Sequence, residues 1–214
     1  VRMAWGDLTA TAEERRIARG AYRFFGSMGF EFLAMPALGP RRIGALAALH
    51  DLPLLREALA QGKGVLLITG HLGNWELIAG ALHAAGIPFS GYAGRQHNPV
   101  VDDLINRARR AVGHEPIGKG PGTKAIFKAL KANRVMAMVA DQHDSKKRYY
   151  VSFFGRPVSA APGPALIARR TGAPAFFICC AREADGRYGC RLEPLPVPVT
   201  EDEEQDLLVM TQAF

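Results

Sequence analysis

Two short stretches carry no polar residue: Val65-Leu-Leu-Ile68, led by Gly64, and Val135–Ala140. Continuous apolar runs of this length, bounded by turn residues, read as strands buried on both faces. They therefore call for covering layers, and the segments around them supply helices. Asn74–Ala85 is helical in pattern and ends at Gly86 and Pro88. Asn98-Pro99 pairs an N-cap with a proline at the first helical position, and that helix runs to about Val112 before Gly113. Thr123–Lys131 is amphipathic, and Ala165–Arg170 ends at Gly172. Further strands are expected at Tyr149–Phe154, Ala175–Cys180 and Tyr188–Leu192, the last two flanking a turn at Asp185-Gly186. Strands alternating with helices predict an α/β fold: a central mixed, partly parallel sheet flanked by helices.

The N-terminal part is different. Thr11-Ala-Glu-Glu14 has the form of a capping box, with a helix expected from there to about Ala34. Its apolar residues wrap widely, which predicts packing against the core. The competing expectation is a helix in a membrane interface, with Arg15, Arg16, Arg19 and Arg23 among headgroups. One domain over 1–214 is expected, with a helical segment at about 11–60 and a catalytic α/β core at about 61–214. Val1 at the start, and Phe214 inside an expected helix, predict trimmed ends and allow for an anchor beyond them.

Composition limits the function classes. Hydrophobic residues make up 48% and charged residues 22% of 214, which excludes disordered, collagen-like and coiled-coil chains. No apolar stretch approaches the roughly 18 residues of a membrane span, and no signal peptide is visible. The net charge of +7 points to an anionic partner. Arg107, Arg109, Arg110, Lys119, Lys124, Lys128, Lys146, Lys147 and Arg148 are candidates for a basic face towards such a partner, and charge alone does not choose among nucleic acid, an anionic lipid headgroup, an acidic carrier protein and a phosphorylated small molecule. The three cysteines, Cys179, Cys180 and Cys190, form no disulfide pattern, so a reducing compartment is expected.

The chemistry-bearing stretch is Thr69-Gly-His71-Leu-Gly-Asn-Trp-Glu76. His71 follows a buried strand immediately, and ligands bind at the carboxyl ends of strands in open α/β sheets. Glu76 comes five positions later, about 140° away on an ideal helix. Gly73 and Asn74 offer a break that would let His71 fold back towards Glu76. A histidine held by a carboxylate is fixed in one tautomer and becomes a better general base. Asp141 follows the second buried strand and is expected either to position Arg95 or the loop of His71, or to cap a turn. Asn74 is expected to act as a helix cap.

Other readings fit less well. Gly113-His-Glu-Pro-Ile-Gly118-Lys119 has P-loop spacing, but Gly120 stands where Ser or Thr should hold magnesium. A nucleic-acid binder would rest on charge alone, with 8% aromatic residues and no binding motif. A zinc site has no paired C-x-x-C spacing, and Gly-x-Ser-x-Gly for a serine hydrolase is absent. A basic-surface nucleotide or nucleic-acid binding protein stays as the alternative outside enzymes, and no metal is expected.

Gly70-His-Leu-Gly-Asn-Trp-Glu76 resembles the H-x4-D/E motif of glycerolipid acyltransferases, in the form found in the late acyltransferases of lipid A biosynthesis (the lauroyl/myristoyl acyltransferase family). Tyr92-Ala-Gly-Arg95-Gln-His-Asn98-Pro99, Ala140-Asp141-Gln142, Phe153-Phe-Gly-Arg-Pro157, Pro162-Gly163 and Thr171-Gly-Ala-Pro174 resemble further segments of that family in its order. The family's Asp-Gln-Asp reads Asp141-Gln142-His143 here, followed by the basic Ser145-Lys-Lys-Arg-Tyr149.

The resemblance implies a glycerolipid acyltransferase-like fold. It also implies transfer of a fatty acyl group from acyl carrier protein thioester or acyl-CoA to a hydroxyl of a lipid A precursor or related glycolipid, without a cofactor. A lysophospholipid or other glycolipid acyltransferase using acyl-CoA is the alternative. The expected place is the cytoplasmic face of the bacterial inner membrane. In this reading His71 and Glu76 are catalytic, Arg95 binds an anionic group, and Asp141, Gly73, Asn74 and Trp75 complete the substrate site. Backbone N–H groups near Gly73–Trp75 would receive the oxyanion.

Overall fold

The structure is a computed structural model that describes residues 11–118, 122–142 and 149–214. Lys119, His143, Asp144 and the run Ser145-Lys-Lys-Arg148 lie outside the described residues. Helix α1 spans Thr11–Leu46, β1 Ala47–Leu49, α2 Leu52–Ala60, β2 Val65–Thr69, α3 Trp75–Ala84, β3 Phe89–Ala93, α4 Pro99–Ala111, β4 His114–Gly118 and α5 Gly122–Lys131. Then follow β5 Val135–Val139, β6 Tyr149–Phe153, β7 Arg156–Ala160, α6 Gly163–Thr171, β8 Ala175–Arg182, β9 Tyr188–Pro194 and α7 Glu203–Ala213.

Seven strands form one sheet in the order β1-β9-β8-β2-β5-β3-β4, and β6 and β7 form a separate hairpin. Only β8 and β9 pair antiparallel within the large sheet. The mixed α/β sheet expected from the sequence is present, and it is mostly rather than partly parallel. The apolar runs are its centre: all five residues of β2 are buried, with β5 and β8 on either side. One apolar cluster covers one face through α1, α2 and α3, including Leu55, Leu67, Leu77, Leu82 and Ile178. A second covers the other face through α5, α6 and α7, including Leu66, Ile68, Ile126, Ala168 and Met210.

Several elements differ from expectation. Helix α1 continues past Pro36 and kinks instead at Gly39, whose φ of 70° and ψ of 166° leave the helical region. The second half of α1 is what buries Met35 and Ile43. Gly80 on α3 makes room for it, since a Cβ there would lie 2.5 Å from Ile43 Cγ2. Strands β1, β3, β4 and β7 carry too little apolar pattern to read from sequence. Pro116 sits within β4, which tolerates it as the edge strand. The stretch with P-loop spacing is therefore largely this edge strand rather than a phosphate loop. Asn98 caps α4 as expected, its Oδ1 accepting from the backbone of Val100 and Val101.

Candidate active site

β2 and β5 are adjacent and parallel, with Thr69 opposite Val139. The Ala140 N–H donates to the Thr69 carbonyl at 2.9 Å, so the two chains leave the sheet side by side. That brings His71 and Asp141 together across the crevice at the carboxyl ends of the strands. Asp141 Oδ1 lies 2.7 Å from His71 Nδ1, and Asp141 Oδ2 accepts the His71 backbone N–H at 2.6 Å. A carboxylate facing Nδ1 requires the proton on that nitrogen, which leaves the lone pair on Nε2. The Trp75 ring meets the imidazole edge-on, with centroids 4.8 Å apart, and Phe25 of α1 approaches Trp75 at 6.3 Å. The side chains of His71 and Asp141 are 38% and 43% exposed, so the pair is open to an incoming substrate.

Glu76 does not hold His71. It enters α3 in the first turn and points towards α4, where Arg109 donates Nε to Oε2 at 3.1 Å and Nη2 to Oε1 at 2.5 Å. The break at Gly73 and Asn74 does not overcome the angular separation of two residues five apart. The carboxylate that orients the histidine is Asp141, 70 positions away in sequence. Glu76 and Arg109 form a nearly buried bidentate pair, with side chains 11% and 15% exposed. Beneath that pair lies His114, whose ring nitrogens are buried without a hydrogen-bond partner. Burial, and then the Arg109 charge, push its pKa down to about 4, against an opposing pull from Glu76 and the Gly91 backbone.

Gly73 adopts a φ of +60° and bridges to Cys180 on β8; a Cβ there would run into the Cys180 carbonyl oxygen. Asn74 stands at the N-cap position of α3, but its side chain makes no cap bond. Its Nδ2 donates instead to Glu31 on α1 at 2.9 Å. Its backbone N–H donates to the Cys180 carbonyl at 2.8 Å, which removes it from the set of oxyanion donors. Gly73 and Trp75 remain as candidates.

Arg95 follows β3, at the same carboxyl edge of the sheet, and is exposed. It is not held by Asp141, whose two oxygens face His71. Of the residues expected to form a basic face, Arg107 is paired with Asp103 and Arg109 with Glu76. On α1, Tyr22 and Phe30 are 83% and 78% exposed, while Phe24 and Phe32 pack against the core, so the helix packs against the core along only part of its surface. Among the described residues, no helix is long and apolar enough to cross a membrane.

A cavity of about 860 Å³ opens beside Asp141, between the β6–β7 hairpin and α7. Tyr150, Val151, Phe153, Val158 and Phe214 give it an apolar wall, and Thr211 contributes a buried hydroxyl without a hydrogen-bond partner. The hairpin is tied to α7 through Gln212, which accepts from the Ser152 N–H and donates to the Ser152 carbonyl. The arrangement holds a candidate proton acceptor, an orienting carboxylate and an apolar cavity at one end of the sheet.

The family of bacterial lipid A biosynthesis acyltransferases matches residues 5–214, and the chain is a member of it. It is 28% identical over 188 residues to the phosphatidylinositol mannoside acyltransferase of Mycolicibacterium smegmatis, covering 86% of this chain and 60% of that protein. The protein of the same name from Mycobacterium tuberculosis is 26% identical over 196 residues, covering 89% and 60%. The lipid A biosynthesis acyltransferase of Haemophilus influenzae is 24% identical over 162 residues, covering 74% and 50%. The chain thus spans about 60% or less of the length of these relatives.

Proposed function

We propose that this chain carries the catalytic centre of an enzyme that transfers a fatty acyl group from a thioester to a hydroxyl of a glycolipid. The observation that carries the reading is the His71–Asp141 pair at the carboxyl ends of β2 and β5, open beside an apolar cavity. His71 Nε2 takes the proton from the acceptor hydroxyl as its oxygen attacks the thioester carbonyl carbon. The new C–O bond forms, and the carbonyl becomes a tetrahedral oxyanion. Asp141 stabilises the imidazolium and keeps the ring in place. Collapse of the intermediate breaks the C–S bond, and the imidazolium returns its proton to the departing sulfur as a free thiol.

Backbone N–H groups of Gly73 and Trp75 are the candidates to receive the oxyanion. The acyl chain lies in the cavity lined by Val151, Phe153 and Val158, whose volume is within the range of small-molecule sites. Arg95 faces the anionic group of the acceptor, a task to which a guanidinium is suited. Glu76 enters this scheme as a structural residue that fixes α3 to α4. The acceptor is a lipid A precursor or a mannosylated phosphatidylinositol, which the names of the relatives support as acceptor classes. Acyl carrier protein or CoA carries the acyl group, no cofactor takes part, and the work is done at the cytoplasmic surface of the inner membrane.

The test is incubation in detergent with acyl carrier protein and CoA thioesters of several chain lengths. A lipid A precursor, a phosphatidylinositol mannoside and a lysophospholipid are offered as acceptors, and products are read by mass spectrometry. One added acyl chain on a glycolipid, lost in His71→Ala and Asp141→Asn, is expected. Transfer to the lysophospholipid alone would move the enzyme to the alternative branch. No acyl transfer and no thioester hydrolysis by the folded protein would end the reading.

A further inference from the structure

Asn74 breaks a local rule. Asparagine at an N-cap normally accepts from the second or third backbone N–H of its helix. Here the residue is fully buried, and its amide turns away to a carboxylate on another helix. That carboxylate, Glu31, is the centre of a cluster. Its Oε2 accepts from Asn74 Nδ2 at 2.9 Å and from the Tyr188 hydroxyl at 2.7 Å. Its Oε1 accepts from Arg182, which also donates to the Tyr188 hydroxyl at 2.7 Å and stacks over the Tyr188 ring. Asn74 Oδ1 is left buried without a donor. The same three-residue turn that follows His71 is gripped from the other side by the Cys180 carbonyl.

We infer that Glu31 is a positioning residue for the acyl transfer, holding Asn74 so that the loop presents His71 squarely to Asp141. Helix α1 is in this sense part of the active site, attached to the His71 loop by a polar contact through Glu31 and an aromatic one through Phe25. The inference rests on the functional reading above, in which His71 is the base. Without Glu31, Asn74 is free to rotate and cap α3 in the usual way, so the helix survives while the loop loses its tether. A misplacement of about 1 Å in a reacting group can cost on the order of 10²-fold in rate.

The conservative change has a specific expectation. In Glu31→Gln the carboxamide oxygen takes the Oε1 position and accepts from Arg182, and the NH₂ takes the Oε2 position and donates to Asn74 Oδ1 after that amide flips, while the Tyr188 hydroxyl gives up its bond to residue 31. The acceptor now left unpaired in the buried Asn74 provides for this.

The experiment measures kcat and KM for Glu31→Ala, Asn74→Ala, their double variant and Glu31→Gln, with the donor and acceptor that prove productive above. It also follows the downfield proton resonance of the His71 Nδ1–H in each protein, assigned by its loss in His71→Ala. Glu31→Ala is expected to lower kcat by about 10- to 100-fold with KM changed less than about twofold. The Nδ1–H resonance should broaden or disappear. Asn74→Ala should match it, the double variant should be no worse than either single one, and Glu31→Gln should recover most of kcat. An unchanged kcat and resonance in folded Glu31→Ala, or additive losses in the double variant, would overturn the inference. Should Glu31→Ala fail to fold, Asn74→Ala decides: an unchanged resonance there overturns the inference as well. Activity retained in His71→Ala would instead defeat the functional reading, while the resonance still reports whether Glu31 positions the ring.

Discussion

His71 and Asp141 lie 70 positions apart in sequence and 2.7 Å apart at Nδ1 and Oδ1, and the same aspartate also binds the His71 backbone N–H. One carboxylate therefore fixes both the ring and the chain that carries it. Asp141→Asn presents an amide where an acceptor is needed, so the wrong ring nitrogen becomes the proton carrier. We expect transfer to fall by at least about 10²-fold in both His71→Ala and Asp141→Asn, with the folded fraction unchanged. Product formation by mass spectrometry, beside a thermal unfolding curve, checks this.

The Glu76–Arg109 pair predicts a different phenotype. Both groups are nearly buried, and removing one strands the other. Glu76→Ala and Arg109→Ala should each destabilise the protein by about 3–5 kcal/mol, the usual cost of breaking a buried ion pair. The double variant should cost less than the sum, because it leaves no lone charge. Denaturant midpoints of the three variants test this, and equal additivity would show that the pair contributes nothing through its partner.

His114 predicts a pH dependence. Its folded pKa is pushed down to about 4, chiefly by burial, from an ordinary value of 6.5. Between these values the unfolded chain binds a proton that the folded chain does not. Stability therefore rises with pH through this window and is lost as pH falls from about 6.5 to about 4. A shift of that size corresponds to at most about 3.5 kcal/mol. His114→Phe, beside Phe89, should flatten the dependence. Urea unfolding at pH 4.5, 5.5 and 7 for the two proteins is the check; parallel slopes would assign the acid sensitivity to other groups.

The cavity beside Asp141 predicts a chain-length effect. Val158 lines it and is partly exposed, so a larger side chain can be accommodated without rebuilding the core. Val158→Trp should shift preference towards shorter acyl chains. Each methylene no longer buried costs about 0.8 kcal/mol, or about fourfold in kcat/KM. Competition between thioesters of two lengths in one reaction reads this directly. An unchanged product ratio would place the acyl chain elsewhere.

The sequence marks the two ends of the active pair but not their meeting. His71 and Asp141 each follow an uninterrupted apolar run, and that pattern alone puts each at the carboxyl end of a buried strand. Their contact depends on β2 and β5 being neighbours although β3 and β4 lie between them in the chain, which is a non-local fact. Glu76 is the opposite case. Its spacing from His71 reads as a local partnership, yet the direction in which α3 starts turns the carboxylate to Arg109. Asn74 is legible as an N-cap by residue type and by position, but the pull of Glu31 from a distant helix decides its side chain. Strands β3 and β4 go unseen because Ser90, Gly91, Glu115 and Pro116 interrupt any apolar period; β4 lies at the sheet edge, whereas β3 is held between β5 and β4.

The antiparallel hairpin of β8 and β9 contributes a carbonyl at Cys180, a guanidinium at Arg182 and a phenol at Tyr188, the last two directly opposite each other in register. Strand residues alternate faces, so adding or deleting one residue in the turn around Gly186 would rotate Tyr188 away from Glu31 while Cys180 kept its place. The length of that one surface turn thus sets the register that brings Tyr188 to Glu31, and an indel there would be felt at Asn74 and the His71 loop.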